Sequence, residues 1–263
     1  MILTGYGINC DEETRYAFEW AGAHAEIVHL NDLIQGKKKL EDYHILAFPG
    51  GFSYGDHLGS GNAFANKMKN KVWNSLQQFV ADKKLIIGIC NGFQIISNMG
   101  LVPAQQNKYG EKQVALMHND NHRYTCRWVD IQARNDSVWL KGMDKMSIPI
   151  AHGEGKLIAS DSVMQTLKSQ NQIAFQYIPG KISSEQNLSY NPNGSTRDIA
   201  GITDESGRIL GLMPHPERAM FFTQLPYWTA EKERLLREGK PIPKEGLGLQ
   251  LFRNAVNYVK ETF

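Results

Sequence analysis

The segment LIIGICNGFQ, residues 85–94, decides the fold class of this chain. Its first five residues are continuously apolar, which is typical of a strand in a parallel sheet that helices cover on both faces. Cys90 follows between Gly88 and Gly92, and residues 94–99 have the pattern of the start of a helix. The segment therefore predicts a buried strand, a sharp turn that carries Cys90, and then a helix.

The sequence before this segment alternates between helical and strand patterns in the same way. Glu12–Ala21 and Lys71–Asp82 have helical periodicity, whereas Ala25–His29 and Ile45–Phe48 have the pattern of strands. Alternation of this kind predicts an α/β fold with an open, mostly parallel, doubly wound sheet flanked by helices.

The second half of the chain is richer in strand patterns. Arg127–Ile131, Gln172–Tyr177 and Ile209–Met213 all favour strands, so we expect a β-rich region added to the α/β unit. The length of 263 residues allows one large domain or two small ones. No stretch rich in Pro, Gly or Ser separates two parts, and a single domain over residues 1–263 is predicted.

Composition excludes several classes of protein. Hydrophobic residues make up 41% and charged residues 21% of the chain, as in an ordinary globular protein. The 29 basic and 27 acidic residues are too evenly balanced for a dedicated nucleic-acid binder. The longest apolar runs are far shorter than the ~20 residues of a membrane-spanning helix. No signal-peptide pattern is visible, and three sparse cysteines favour a reducing, cytoplasmic location.

Cys90 lies in a G-x-C-x-G pattern, the thiol counterpart of a nucleophile elbow. Small residues two positions before and after the nucleophile let the strand and the helix pass closely. The N-terminus of the helix favours a thiolate, and its free N–H groups can bind an oxyanion. The alternative is that Cys90 packs as a small core residue, the commoner role of a free cysteine.

His215 is the candidate base for this thiol. It lies in MPHPER, residues 213–218, directly after a predicted strand. Pro214 and Pro216 disfavour a regular helix and favour an extended segment, in which residues i and i+2 project to the same side. His215 and Glu217 would then share a face, and the carboxylate would orient the imidazole. The alternative is a rigid surface loop with an incidental ion pair.

A third loop, PGGFSYGD at residues 49–56, also follows a predicted strand. It is rich in glycine but lacks the pattern of a phosphate-binding P-loop. Glycines after a strand can expose a backbone N–H, which suits a second oxyanion donor beside the N–H of Asn91. A plain turn explains this loop equally well.

These three segments, in this order, resemble the class I, triad-type glutamine amidotransferases. Further motifs narrow the resemblance to the glutaminase components of phosphoribosylformylglycinamidine synthases: residues 7–14, HGEG at 152–155, NPNGS at 191–195 and FRNA at 252–255. The resemblance runs from residue 5 to the C-terminus. It implies a flavodoxin-like fold and a glutaminase that supplies ammonia for the ATP-dependent conversion of formylglycinamide ribonucleotide to the amidine in purine synthesis.

The resemblance also implies the roles of single residues. Cys90 would attack the side-chain amide of glutamine, His215 would act as acid and base, and Glu217 would orient His215. Gly51 and Asn91 would supply the two oxyanion N–H groups. The residues expected to line the substrate pocket are Gln94, His152, Gly153 and Glu154.

The expected partner is a synthetase subunit of the same enzyme, with or without a small accessory subunit. No ATP site is legible in the sequence, so we expect ATP and Mg²⁺ on the synthetase and no cofactor on this chain. His152-x-Glu154 resembles a metal-ligand pair, but no third ligand is near it in the sequence, and no metal site is predicted. Neither a nucleic-acid nor a membrane partner is expected.

Two alternatives differ from this interpretation. A stand-alone cysteine hydrolase, similar to the γ-glutamyl hydrolases or to the DJ-1 proteins, could use the same fold. A binding or regulatory subunit without turnover could use it as well, but such a subunit would be expected to lack Cys90 or His215, and both are present.

Overall fold

The computed structural model describes residues 1–263. Its strands are β1 Ile2–Thr4, β2 Ile27–His29, β3 Ile45–Phe48, β4 Leu85–Ile89, β5 Val114–His118, β6 Thr125–Ala133, β7 Lys145–His152, β8 Glu154–Ala159, β9 Ile173–Tyr177, β10 Ile199–Thr203 and β11 Ile209–Leu212. Its helices are α1 Asp11–Trp20, α2 Leu30–Ile34, α3 Asn62–Lys71, α4 Trp73–Ala81, α5 Asn91–Met99, α6 Asp161–Ser169, α7 Lys181–Gln186, α8 Trp228–Arg237 and α9 Gly248–Thr262.

Nine of the strands form one sheet, in the order β2-β1-β3-β4-β11-β10-β9-β6-β7. The strands from β2 to β11 in this order pair in parallel. From β11 to β7 the pairing is antiparallel. Strands β5 and β8 form a separate antiparallel pair. The predicted α/β fold is therefore confirmed, and its β-rich second half extends the same sheet, which makes the sheet mixed.

The predicted elements of the first half are present, with small shifts at their ends. The strands predicted at Ile45–Phe48 and at residues 85–89 have those same bounds, and α5 already begins at Asn91, directly after Cys90. The helix predicted over Lys71–Asp82 begins later, at Trp73. Val72 leaves helical geometry at φ −128° and ψ 2°, and so separates α4 from a preceding helix, α3.

One hydrophobic core joins both halves of the chain. A cluster of 57 buried residues extends from Met1 to Val256 along the sequence. Within it, the rings of Phe18 on α1 and Phe252 on α9 meet edge to face, with centroids 4.9 Å apart. The single domain over residues 1–263 stays a prediction. None of the helices combines the length and the apolar character needed to cross a membrane.

The sheet order brings three loops to one place. Strands β3, β4 and β11 are neighbours and run parallel, so their carboxyl ends lie at the same edge of the sheet. The loop at residues 49–56 follows β3, Cys90 follows β4, and the His215 segment follows β11. Such edges are where open α/β sheets place their ligands and catalytic groups.

Candidate active site

Cys90 has the strained backbone of a nucleophile elbow. Its φ of +53° and ψ of −108° are rare for a residue with a side chain. A Cβ at Gly88 would lie 2.6 Å from the carbonyl oxygen of Gly92, and a Cβ at Gly92 would lie 1.8 Å from that of Phe48. The predicted need for small residues on both sides of Cys90 is therefore confirmed. The thiol is buried, and its Sγ lies 3.5 Å from the carbonyl oxygen of Ala151 on β7.

His215 and Glu217 form a buried pair. Nδ1 of His215 lies 2.6 Å from Oε1 of Glu217, and both side chains are at most 2% exposed. Because a carboxylate only accepts hydrogen bonds, Nδ1 carries the proton and donates a hydrogen bond to Glu217. Nε2 of His215 has no partner within the chain. The imidazole therefore has one nitrogen held by Glu217 and the other available.

The backbone that makes this pair differs from the prediction. Residues 216–218 form one turn of 3₁₀-helix, and the N–H of Arg218 donates to the carbonyl of His215 at 3.1 Å. The prediction of an extended segment here was wrong. Pro216 occupies the first helical position, where its fixed φ and missing N–H are favourable. The tight turn, rather than a shared strand face, brings Glu217 back to His215.

The charges around His215 favour its protonated form. Burial alone lowers the pKa of His215, but the negative charges of Glu217 and Cys90 outweigh burial and hold that pKa well above its usual range. Gly50 lies next to the side chains of both Cys90 and His215. A Cβ at Gly50 would come within 2.9 Å of Cε1 of His215 and 3.5 Å of Cβ of Cys90. The three loops therefore meet around the thiol and the imidazole.

Both predicted oxyanion donors have free N–H groups. The N–H groups of Gly51 and Asn91 make no hydrogen bond within the chain. Gly51 has a φ of +155°, and a Cβ there would lie 2.6 Å from the carbonyl oxygen of Gly7. The next residue, Phe52, donates its N–H to that same carbonyl at 2.7 Å. Only glycine fits this position, and its N–H remains open to a ligand.

Of the four residues predicted to line a substrate pocket, His152 has an open polar atom. It is 2% exposed, and its Nε2 lies 3.1 Å from the side-chain nitrogen of Asn193. Because that amide nitrogen donates, Nδ1 carries the proton of the neutral ring, and Nδ1 has no partner. Burial, assisted by the charge of His215, lowers the pKa of His152 to about 3. His152 is therefore neutral near pH 7.

Gln94, Gly153 and Glu154 belong to a hydrogen-bonded network next to the elbow. Nε2 of the buried Gln94 donates to the carbonyl of Glu154 at 2.6 Å. The carboxylate of Glu154 accepts the N–H of Ser60 at 3.3 Å, and the carbonyl of Gly153 accepts the N–H of Asn119 at 2.9 Å. The amide of Gln94 is thus used by internal bonds, whereas one oxygen of Glu154 faces the exposed ring of His118 at 3.6 Å.

The sequence did not indicate that Cys10 lies beside the pair of His215 and Glu217. The atoms of Cys10, His215 and Glu217 that could ligate a metal lie within 4.8 Å of one another, but two of these groups already bond each other. Arg218 donates to Sγ of Cys10 at 2.9 Å. Burial raises the pKa of the Cys10 thiol, against the effects of His215 and Arg218. The motif around Cys10 entered the family resemblance without any chemistry attached to it.

Comparison with known proteins agrees with this geometry. Residues 1–259 match the CobB/CobQ-like glutamine amidotransferase domain. A phosphoribosylformylglycinamidine synthase subunit PurQ from Methanococcus maripaludis is 50% identical, covering 98% of this chain and 96% of the relative. The PurQ subunit from Dehalococcoides mccartyi is 42% identical, covering 99% and 97%. Among solved structures, a chain of PurLQS from Thermotoga maritima matches with a TM-score of 0.68 and 31% identity, covering 98% and 97%.

The site holds a buried thiol on a strained elbow, next to a histidine–glutamate pair. Together with the domain match, this geometry defines an enzyme of the glutamine amidotransferase class. Within that class, the chain belongs to the PurQ family of phosphoribosylformylglycinamidine synthase subunits. The resemblance that the motifs predicted is confirmed.

Proposed function

We propose that Cys90, His215 and Glu217 carry out the glutaminase reaction of this enzyme. The observation that supports this most strongly is the buried 2.6 Å contact between His215 and Glu217 beside the elbow of Cys90. A base held in one tautomer next to a nucleophile on a strained turn is the arrangement that acyl transfer requires.

The first half of the reaction forms a thioester. Sγ of Cys90 attacks the side-chain carbonyl carbon of glutamine, and the oxygen of the tetrahedral intermediate accepts the N–H groups of Gly51 and Asn91. As the C–N bond breaks, Nε2 of His215 gives its proton to the departing nitrogen, which leaves as ammonia. The raised pKa of His215 supports this role, because the ring starts the step as the protonated acid.

The second half releases glutamate. The now neutral His215 takes a proton from a water molecule, and the resulting hydroxide attacks the γ-glutamyl thioester. Collapse of the second tetrahedral intermediate breaks the C–S bond and returns the thiolate of Cys90. Glu217 keeps the proton on Nδ1 throughout, so that Nε2 is always the nitrogen that faces the reacting atoms.

The glutamine pocket in this proposal includes His152, Gly153, Glu154 and Gln94. The buried Nδ1–H of His152 lacks a protein partner, and a substrate oxygen would satisfy it. The partly exposed carboxylate of Glu154 can accept an ammonium group. Gln94 contributes by holding the backbone of Glu154 rather than through a free amide.

Ammonia from this site would serve a synthetase partner. The relatives named above are subunits of phosphoribosylformylglycinamidine synthase, and the Thermotoga maritima protein was solved as PurLQS. The partner would hold ATP and Mg²⁺ and convert formylglycinamide ribonucleotide to the amidine, with or without a small accessory subunit. This proposal assigns no cofactor and no metal to the present chain.

Replacing Glu217 should slow glutamine hydrolysis less than replacing His215. His215 transfers the proton, whereas Glu217 only orients it, so we expect His215→Ala to lose roughly 10- to 100-fold more turnover than Glu217→Ala. Steady-state glutamate release by each variant, in the presence of the synthetase, measures the order. Glu233→Ala, an exposed carboxylate on α8, serves as the control. An equal or larger loss in Glu217→Ala would show that Glu217 has a role other than orientation.

A further inference from the structure

The side chain of Asn91 links the two loops that carry the free N–H groups of Gly51 and of Asn91 itself. It is fully buried, and its Oδ1 accepts the N–H of Ser53 at 3.0 Å. Its Nδ2 donates to Oε1 of Gln94 at 2.8 Å and to Oδ1 of Asp56 at 3.3 Å. Because the N–H of Ser53 can only donate, it fixes which side of the amide carries the oxygen.

The loop on one side of this link is strained. Tyr54, Gly55 and Asp56 have φ values of +55°, +73° and +55°. Such conformations persist in residues with side chains only where the surrounding structure holds them. Oδ1 of Asp56 also accepts the N–H of Gly61 at 3.3 Å. The segment that follows Gly51 is therefore held by hydrogen bonds from two directions, one of which is Asn91.

The elbow on the other side is anchored more firmly. Gln94, the other acceptor of the Asn91 amide, donates to the carbonyl of Glu154 at 2.6 Å and so ties the first turn of α5 to β8. Asn91 supplies one oxyanion N–H from its backbone. Its side chain accepts a hydrogen bond from Ser53, which lies two residues after the other donor, Gly51. Any shift of Ser53 relative to Asn91 would change the distance between the two donors.

We infer that the side chain of Asn91 is a positioning residue that sets the separation of the two oxyanion N–H groups through Ser53 and Asp56. This inference rests on the proposed function of the site. It is distinct from the backbone role of Asn91, because every residue except proline offers an N–H at that position. The side chain determines where this N–H lies relative to its counterpart.

Asn91→Asp provides the main test. The new carboxylate can still accept the N–H of Ser53, but it faces Oδ1 of Asp56 and Oε1 of Gln94, which are both acceptors. In the full chain with its synthetase, we expect kcat for glutamine hydrolysis to fall about 10²- to 10³-fold, as on loss of one oxyanion donor. We expect KM for glutamine to stay within about threefold, because the lost interaction acts in the transition state.

Asn91→Ala should lose kcat to a similar degree. Alkylation of Cys90 by iodoacetamide requires no oxyanion hole, so its rate in Asn91→Ala, which adds no charge beside the thiol, should match wild type. Asn74→Asp makes the same charge change on an exposed face of α4 and should leave kcat unchanged.

The inference is overturned if Asn91→Asp or Asn91→Ala keeps kcat within about threefold of wild type. It is also overturned if alkylation of Cys90 in Asn91→Ala slows together with kcat, because the elbow itself would then be distorted. Should Asn91→Asp not fold, Asn91→Ala decides by the same kcat threshold. Failure of the proposed function would differ, since wild type itself would then release no glutamate or Cys90→Ser would remain active.

Discussion

Cys90→Ser is expected to lose glutamine hydrolysis by about 10⁴-fold or more while the fold stays intact. A hydroxyl is far harder to ionise than a thiol, and the thiolate is the attacking species. The substitution keeps the size of the side chain, so the strained elbow at φ +53° remains. Steady-state glutamate release measures the loss, and thermal unfolding checks that the variant is folded.

Labelling with an electrophilic glutamine analogue separates Cys90 from the other thiols. One equivalent should attach to Cys90 and none to the buried Cys10 or the exposed Cys126. Cys126→Ser is the matched control, with wild-type turnover and labelling expected. Near-normal activity in Cys90→Ser, or labelling spread evenly over the three cysteines, would contradict the assignment of Cys90 as nucleophile.

Gly92→Ala is expected to destabilise the protein by more than about 4 kcal/mol, in the range of severe packing defects. The added Cβ would lie 1.8 Å from the carbonyl oxygen of Phe48, a backbone atom at the end of β3. Either the helix or the strand must move, and the elbow of Cys90 moves with them. A loss of this size in a chain of this length lowers the unfolding midpoint by roughly 10 °C.

Gly153→Ala is the matched control for this substitution. A Cβ at Gly153 would meet only Cα of Tyr124, at 3.9 Å, which is ordinary contact. Its unfolding free energy should therefore stay within about 0.5 kcal/mol of wild type. A Gly92→Ala protein that unfolds at the wild-type temperature would show that β3 and α5 do not pass as closely as the structure has them.

The features that the sequence predicted well depend on local chemistry or on a general rule of topology. The glycines at positions 88 and 92 indicate the elbow in the sequence, because a strand and a helix can pass this closely only where both residues lack a side chain. The meeting of Cys90 with His215 follows from strands whose carboxyl ends share one edge of the sheet. The contact between His215 and Glu217 was predicted correctly, but the backbone conformation that produces it was not. The pattern of two prolines suits a 3₁₀ turn as well as an extended segment.

The features that the sequence left unpredicted depend on contacts between distant segments. Cys10 reaches His215 because its N–H donates a hydrogen bond, 3.1 Å long, to the carbonyl of Gly50. Gly50 lies forty residues further along the chain, and no local pattern encodes that contact. Ala151 and His152 reach the elbow at the end of β7, whose place in the antiparallel half depends on strand register. The link from Asn91 to Ser53 and Asp56 appears only once both loops are in place.

We expect glutamine hydrolysis to depend on the synthetase through the loop that carries Gly51. Free ammonia is wasted, so an amidotransferase gains by keeping its oxyanion hole incomplete until the acceptor site is occupied. The glycines at positions 50 and 51 permit a flip of the peptide between them at little steric cost. The flip would turn the N–H of Gly51 away and break the bonds that the carbonyl of Gly50 accepts from the N–H groups of Asn9 and Cys10, at 3.2 and 3.1 Å. One misdirected N–H costs roughly 10²- to 10³-fold in turnover, which is sufficient for a switch.

Glutamate release from glutamine, measured for this chain alone and with a synthetase subunit supplied with formylglycinamide ribonucleotide, ATP and Mg²⁺, tests the central claim most directly. We expect slow hydrolysis by the isolated chain and a rise of about 10²- to 10³-fold in the complete mixture, with ammonia transferred to the nucleotide. Full-rate hydrolysis by the chain alone, unchanged by the synthetase, would show that the chain is not controlled by its partner and would favour a stand-alone cysteine hydrolase.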